Sequence, residues 1–104
     1  MDLTKHKPIR IKDKRKIATL HQEVYDLDGG KCCLQGEHDR TVYIAPGTPA
    51  HHVNHGKDKE DVKENMLMLC TSCHYRAHNQ DGQHIKAACK EYLVQRDGMN
   101  RWNT

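Results

Sequence analysis

Apolar positions along the chain of 104 residues change their period from one stretch to the next. Ile17, Leu20 and Val24 recur at helical spacing, which predicts an amphipathic helix over residues 13–26, stopped by Asp28-Gly29-Gly30. Ile85, Cys89 and Tyr92, with Ala88 and Leu93 beside them, predict a second helix over residues 83–97 with Gly98 as its C-cap. The middle is less regular. Thr41–Ile44 is β-prone, Pro46-Gly47-Thr48-Pro49 breaks the chain, and His51-His52-Val53 can re-enter a strand. The charged stretch 56–64 reads as a loop or a short exposed helix. After it come the apolar run Met66–Leu69, read as core, and a helix candidate from Thr71 to Gln80 in which Thr71 or Ser72 serves as N-cap. No internal repeat is present.

Composition changes the picture in one respect. Hydrophobic residues make up 36 % of the chain, charged residues 30 %, and Phe is absent, so a purely apolar core in one small domain would be marginal. Nine His and five Cys offer the alternative, a structural metal. No apolar run approaches the roughly 20 residues of a membrane span, and no apolar stretch follows the basic N-terminus as in an export signal. The sequence is therefore read as cytoplasmic, with no membrane partner. In a reducing compartment, clustered Cys points to metal rather than disulfides.

The net charge of +3 is unevenly spread. Residues 1–20 carry seven Lys/Arg against Asp2 and Asp13, a net of +5, and the rest of the chain is left at −2. This divides the chain into a basic arm, residues 1–16, and a domain, residues 17–104, with a motif core at 32–78. A basic arm on a near-neutral body suits a polyanion, most economically DNA, with Lys12, Lys14, Arg15 and Lys16 as candidate phosphate contacts. The plainer reading is a solvated tail.

Cys70-Thr71-Ser72-Cys73 is a Cys-x-x-Cys pair, which presents two thiolates from one tight turn and supplies half of a tetrahedral site. The other half is expected from the turn at 32–38. Gln35 stands where a second Cys-x-x-Cys would need a thiol, His38 is the available substitute, and either Cys32 or Cys33 binds while the other packs. Cys70-x-x-Cys73-His74 also matches the attachment signature of c-type haem, with Met99 available as distal ligand. The missing export signal, the few aromatic residues and the many unused His speak against that reading.

His51-His52, Asn65 and His74 follow one another in the order His-His, Asn, His, and the last His directly follows the Cys-x-x-Cys. Together with Asn65-x-x-x-Leu69-Cys70-x-x-Cys73-His74, this resembles the HNH endonucleases, over about residues 32–78, and most of all their small phage-encoded members with basic N-termini. Gln35 departs from the many zinc-stapled members that have Cys there. The resemblance implies an α+β, zinc-stapled ββα-metal (HNH, His-Me finger) core with flanking helices. It also implies metal-dependent hydrolysis of DNA phosphodiesters to 5′-phosphate and 3′-hydroxyl ends, and a phage terminase as partner in the host cytoplasm. His52 would be the general base, Asn65 would orient it or brace the loop, and His51 and His74 would hold a catalytic divalent cation, Mg²⁺, Mn²⁺, Ni²⁺ or Zn²⁺.

Independent chemistry supports those residue types. An imidazole is largely neutral near pH 7 and can accept a proton, and an amide serves as an uncharged donor and acceptor. His78 stands one helical turn beyond His74, so both can chelate one ion, and it is the third candidate ligand. Arg76, on the helix that enters the DNA minor groove in this family, is a candidate backbone contact, its alternative being an exposed cation. His55 is a weaker phosphate contact, His84 is read as a helix-surface residue, and His6 and His21 carry no role. A zinc-binding DNA or protein adaptor without catalysis is the main alternative.

Overall fold

The computed structural model describes residues 9–54, 59–79 and 82–98. The described residues form a small mixed fold with three helices, α1 (Lys14–Leu27), α2 (Thr71–His78) and α3 (Gly82–Asp97), and one two-stranded antiparallel sheet, β1 (His51–His52) against β2 (Met66–Leu67). His6, His55 and Met99 lie outside the described residues.

α1 starts where Asp13 caps it, the carboxylate accepting from the Arg15 and Lys16 amides at 2.8 and 3.1 Å. It ends at Asp28-Gly29-Gly30, where both glycines take positive φ. A side chain at Gly30 would in addition meet the Tyr25 hydroxyl at 2.9 Å. Lys14, Arg15 and Lys16 thus belong to the first turn of α1 and not to a separate arm. Residues Ile9–Ile11 are also docked: Asp61 N–H donates to the Ile9 carbonyl at 2.8 Å, and Ile11 N–H to the Asp61 carboxylate at 2.8 Å. The 1–16 boundary therefore cuts through packed structure from Ile9 onward.

The core joins Val24 of α1, the run Met66–Leu69, and Ile85, Cys89 and Leu93, which recur every fourth residue along α3. Full burial of each such side chain contributes about 1.5–3 kcal/mol. The β-prone Thr41–Ile44 makes only an isolated bridge, Lys31 to Tyr43, with Cys32 N–H on the Val42 carbonyl at 2.8 Å. That short pairing is enough to fold the 32–38 turn back under Cys70.

Asp28, which the sequence shows only as a helix stop, is a buried junction. Its carboxylate accepts from Met68 N–H at 2.7 Å, the Tyr92 hydroxyl at 2.6 Å and Arg96 Nη1 at 3.0 Å, tying α1, the end of β2 and α3 together. The Arg96 side chain is 7 % exposed, that of Asp28 not at all, and Arg96 also donates to the Lys63 carbonyl at 2.6 Å. Arg96 keeps Asp97 as a partner at 3.0 Å, but without Asp28 the buried Met68 N–H and the Tyr92 hydroxyl lose their acceptor, so Asp28→Ala is expected to lower stability by about 1–3 kcal/mol in urea unfolding.

Candidate metal centres

Four ligand atoms meet at the mouth of α2. Cys32 comes from the turn after Gly30, His38 follows the short 3-10 turn Gln35–Glu37, and Cys70 and Cys73 bracket the start of α2. Cys70, and neither Thr71 nor Ser72, is the N-cap: its sulfur accepts from Cys73 N–H at 3.5 Å. A sulfur acceptor here starts α2 and aims the Cys-x-x-Cys turn, which the preference of Ser and Thr for caps conceals.

His38 Nε2 lies 3.4 Å from each of the Cys32, Cys70 and Cys73 sulfurs. One ring nitrogen has one proton or one lone pair and can serve one sulfur by hydrogen bonding. Equal approach to three is the signature of a shared centre. Zn–S of about 2.3 Å and Zn–N of about 2.0–2.1 Å in a tetrahedron place N and S about 3.5 Å apart, so the residues fit a zinc ion. Burial pushes the Cys32 and Cys73 thiols up, and neighbouring sulfurs push them further. A dication held by these residues would offset that by favouring the thiolate form of its ligands. Gln35 is not a ligand; its amide donates to the Cys32 carbonyl and closes the turn.

Cys33 is outside the cluster. Burial pushes its thiol up, with Cys89 and Asp28 adding to the effect, and its N–H donates to the Met68 carbonyl at 3.0 Å. Because Cys70 and Cys73 share their sulfurs with Cys32 and His38, the arrangement is not that of a haem attachment site.

A second group stands one turn along the same helix. His51 of β1 and His74 and His78 of α2 bring ring nitrogens within 4.8 Å of one another, with ring centroids 5.0, 5.3 and 4.8 Å apart. His74 Nε2 and His78 Nε2 are 3.1 Å apart, close to the roughly 3.0 Å separating two ligands at right angles on a divalent ion at about 2.1 Å. His74 has its basicity lowered by burial first and by His78 second. The two groups differ in access. Cys32, Cys70 and Cys73 are buried, whereas His74 and His78 are exposed. Closed four-ligand sites are structural, and sites with three protein ligands open to solvent leave a coordination position for water or substrate.

His52 faces elsewhere. Successive strand side chains leave opposite sides, and while His51 meets α2, His52 Nε2 pairs with Asp61 Oδ1 at 2.9 Å and its ring meets His21 edge-on at 5.9 Å. Burial lowers the His52 basicity and the Asp61 hydrogen bond partly restores it. Asp61 stays below the usual carboxylate range: burial would raise it, but Ile11 N–H and His52 outweigh that.

Asn65 is buried and touches no imidazole. Its Oδ1 accepts from Asn54 N–H at 2.8 Å, and its Nδ2 donates to the Asn54 and Glu60 carbonyls at 3.1 and 3.0 Å, so it braces the two ends of the β1–β2 connection. Arg76 is not an unengaged cation: Nη2 pairs with Glu37 Oε1 at 2.9 Å, and His84 meets the other Glu37 oxygen at 3.3 Å. Lys12, Lys14, Arg15 and Lys16 are exposed.

His21, Asp61 and Arg96 carry no role in the sequence reading, and Asp28 only that of a helix stop. His21 Nδ1 accepts from Ala50 N–H at 2.8 Å, and burial lowers its basicity, Asp61 opposing and Lys59 adding. An unfolded His titrates near 6.5, so below that pH the unfolded chain binds more protons at this position than the folded one. Stability present above about 6.5 is therefore expected to decline as pH falls beneath that value, His52 and His74 acting in the same sense. His21→Asn keeps an acceptor for Ala50 and cannot titrate, so urea unfolding at pH about 7.5 and 5.5, in excess zinc, should give a smaller difference for this variant.

Comparison with protein-family models, curated proteins and solved structures returns no match for this chain. Among the described residues no helix is long and apolar enough to cross a membrane.

Proposed function

We propose that the chain is a metal-dependent endonuclease of the HNH kind, with a zinc-stapled ββα-metal core, that hydrolyses DNA phosphodiester bonds. The observation that carries this reading is the open three-imidazole group of His51, His74 and His78, built from a hairpin strand and the helix that follows it, beside a closed Cys₃His group on the same helix. Two centres of different access on one short helix suit a division between staple and reaction.

Cys32, His38, Cys70 and Cys73 would hold the structural zinc, and His51, His74 and His78 the catalytic cation, which when bound supplies positive charge to the scissile phosphate. His52, which leaves the opposite side of β1 from His51 and pairs with Asp61, would accept the proton of the attacking water. Its lowered basicity keeps it neutral and able to do so near pH 7. Asn65 fixes the connection that carries Asp61 to His52. Three exposed cations on the first turn of α1 oppose the helix dipole, which favours anions there, so helix stability does not account for them. A polyanionic substrate does. A phage packaging terminase is the partner this reading implies.

The test is relaxation of supercoiled plasmid by purified, zinc-replete protein, in EDTA and then with Mg²⁺, Mn²⁺, Ni²⁺ or Zn²⁺ added singly. Cation-dependent nicking is expected. Binding of the plasmid with no cleavage under any cation would favour the adaptor alternative.

A further inference from the structure

We propose that Asp61 is a positioning residue that holds the His52 ring with its proton on Nε2 and its lone pair on Nδ1, and that Ile9–Ile11 locks Asp61 in that task. This rests on the reading of His52 as the base, and it names the atom that accepts the proton.

An ionised carboxylate can only accept, so the 2.9 Å contact between Asp61 Oδ1 and His52 Nε2 requires the proton on Nε2. Neither partner is free to exchange that role with water, since their side chains are 7 % and 13 % exposed. The second carboxylate oxygen, Oδ2, accepts from Ile11 N–H at 2.8 Å, and the Asp61 backbone N–H donates to the Ile9 carbonyl at 2.8 Å. Residue 61 is thus held at both carboxylate oxygens and at its backbone. Glu60, immediately before it, is held through its carbonyl by Asn65 Nδ2 at 3.0 Å and through its carboxylate by Ile9 N–H at 3.4 Å. Among the described residues, the charged and titratable groups that act on His52 are Asp61, Lys59 and His21. His21 spends its Nδ1 on Ala50 N–H, so it meets His52 as a proton-bearing ring and does not compete for the proton on Nε2. Nδ1 is then the one His52 nitrogen with a lone pair to offer.

The sequence hides this. Asp61 sits in Lys57-Asp58-Lys59-Glu60-Asp61, a charge run that reads as a solvated loop, yet Glu60 and Asp61 are buried. A buried carboxylate is unfavourable unless its oxygens are satisfied, and here each has a donor.

Asp61→Asn tests the role with little change of shape. Ile11 N–H still needs an acceptor, so it selects the amide oxygen and turns the Asn NH₂ towards His52. That donor demands a lone pair on Nε2, and the proton moves to Nδ1. Expected results are a kcat for plasmid nicking lowered by about 10²-fold or more, a KM within about twofold, and Ni²⁺ affinity at the three-imidazole group unchanged, as when a triad Asp is made Asn. Imidazole ¹⁵N spectra of the zinc-loaded wild-type chain at pH about 7.5 read the tautomer directly, with a bare Nδ1 and a protonated Nε2 expected, and the reverse in Asp61→Asn. A wild-type ring protonated on Nδ1 overturns the proposal, as does an Asp61→Asn chain with unchanged tautomer and unchanged kcat. If the wild-type chain cleaves no DNA under any cation, the nuclease reading fails, and the spectra still decide the role of Asp61.

Discussion

A Cys73→Ser chain is expected to lose zinc and fold together. Cys73 is fully buried, and it is at once a member of the Cys₃His group and the first-turn donor to its own N-cap, Cys70. The group joins three separate pieces of chain: the turn at Cys32, the segment after the 3-10 turn at His38, and the start of α2. Few other contacts replace it, since the sheet has two strands of two residues each. Structural zinc contributes apparent free energies of roughly 10–16 kcal/mol in small domains, as large as the roughly 5–15 kcal/mol that a whole domain has to lose. Elemental analysis of the wild type should give one tightly held zinc per chain. Circular dichroism of Cys73→Ser should show loss of cooperative unfolding, and a Cys73→Ser chain that folds with wild-type stability would remove the staple. Cys33→Ser, beside the cluster but outside it, should retain zinc.

The second large effect is expected on turnover rather than on folding. His52→Ala should lower kcat by about 10²–10⁴-fold, the range that general base catalysis supplies, with metal content and DNA affinity nearly unchanged. A base acts on the transition state and contributes little to substrate binding. The pairing of His52 with Asp61 gives this variant a known side effect, an Asp61 carboxylate that keeps its Ile11 donor and loses the imidazole. His52→Gln, which can still donate to Asp61, separates the two: it should hold the stability of the wild type and remain inactive. Full activity in either variant contradicts the role of His52.

The elements of this fold were legible where they depend on neighbours in sequence. Asp13 and Gly29-Gly30 bound α1 within one residue of the expected limits, and the four-residue recurrence in Ile85, Cys89 and Leu93 marks α3. The Cys-x-x-Cys and the His74–His78 spacing are equally local, the first carrying two of four members of its group and the second two of three. What closed the groups was distant and less visible. Cys32 over Cys33 is decided by the short bridge of Lys31 to Tyr43, which turns one thiol towards Cys70 and leaves the other near Cys89. Asp28 and Asp61 look like ordinary polar residues in turns because their partners, Arg96 and Ile11, are 68 and 50 residues away. Arg76, expected at a DNA phosphate, is instead paired with Glu37 across a sequence distance that no helical period reveals. Local patterns report which face of an element is apolar, and long-range polar pairs leave no period to read.

The nuclease reading stands on His51, His74 and His78 acting as an ion-binding group open to substrate. Its most direct test is a side-by-side plasmid nicking assay of the wild-type and His74→Ala chains, both zinc-replete at the Cys₃His group, titrated with Mn²⁺ or Mg²⁺ after EDTA. The wild type should nick only with the cation present. His74→Ala should remain folded, bind the plasmid and fail to nick at any cation concentration. Equal nicking by the two chains, or nicking by the wild type that persists in EDTA, would contradict the account.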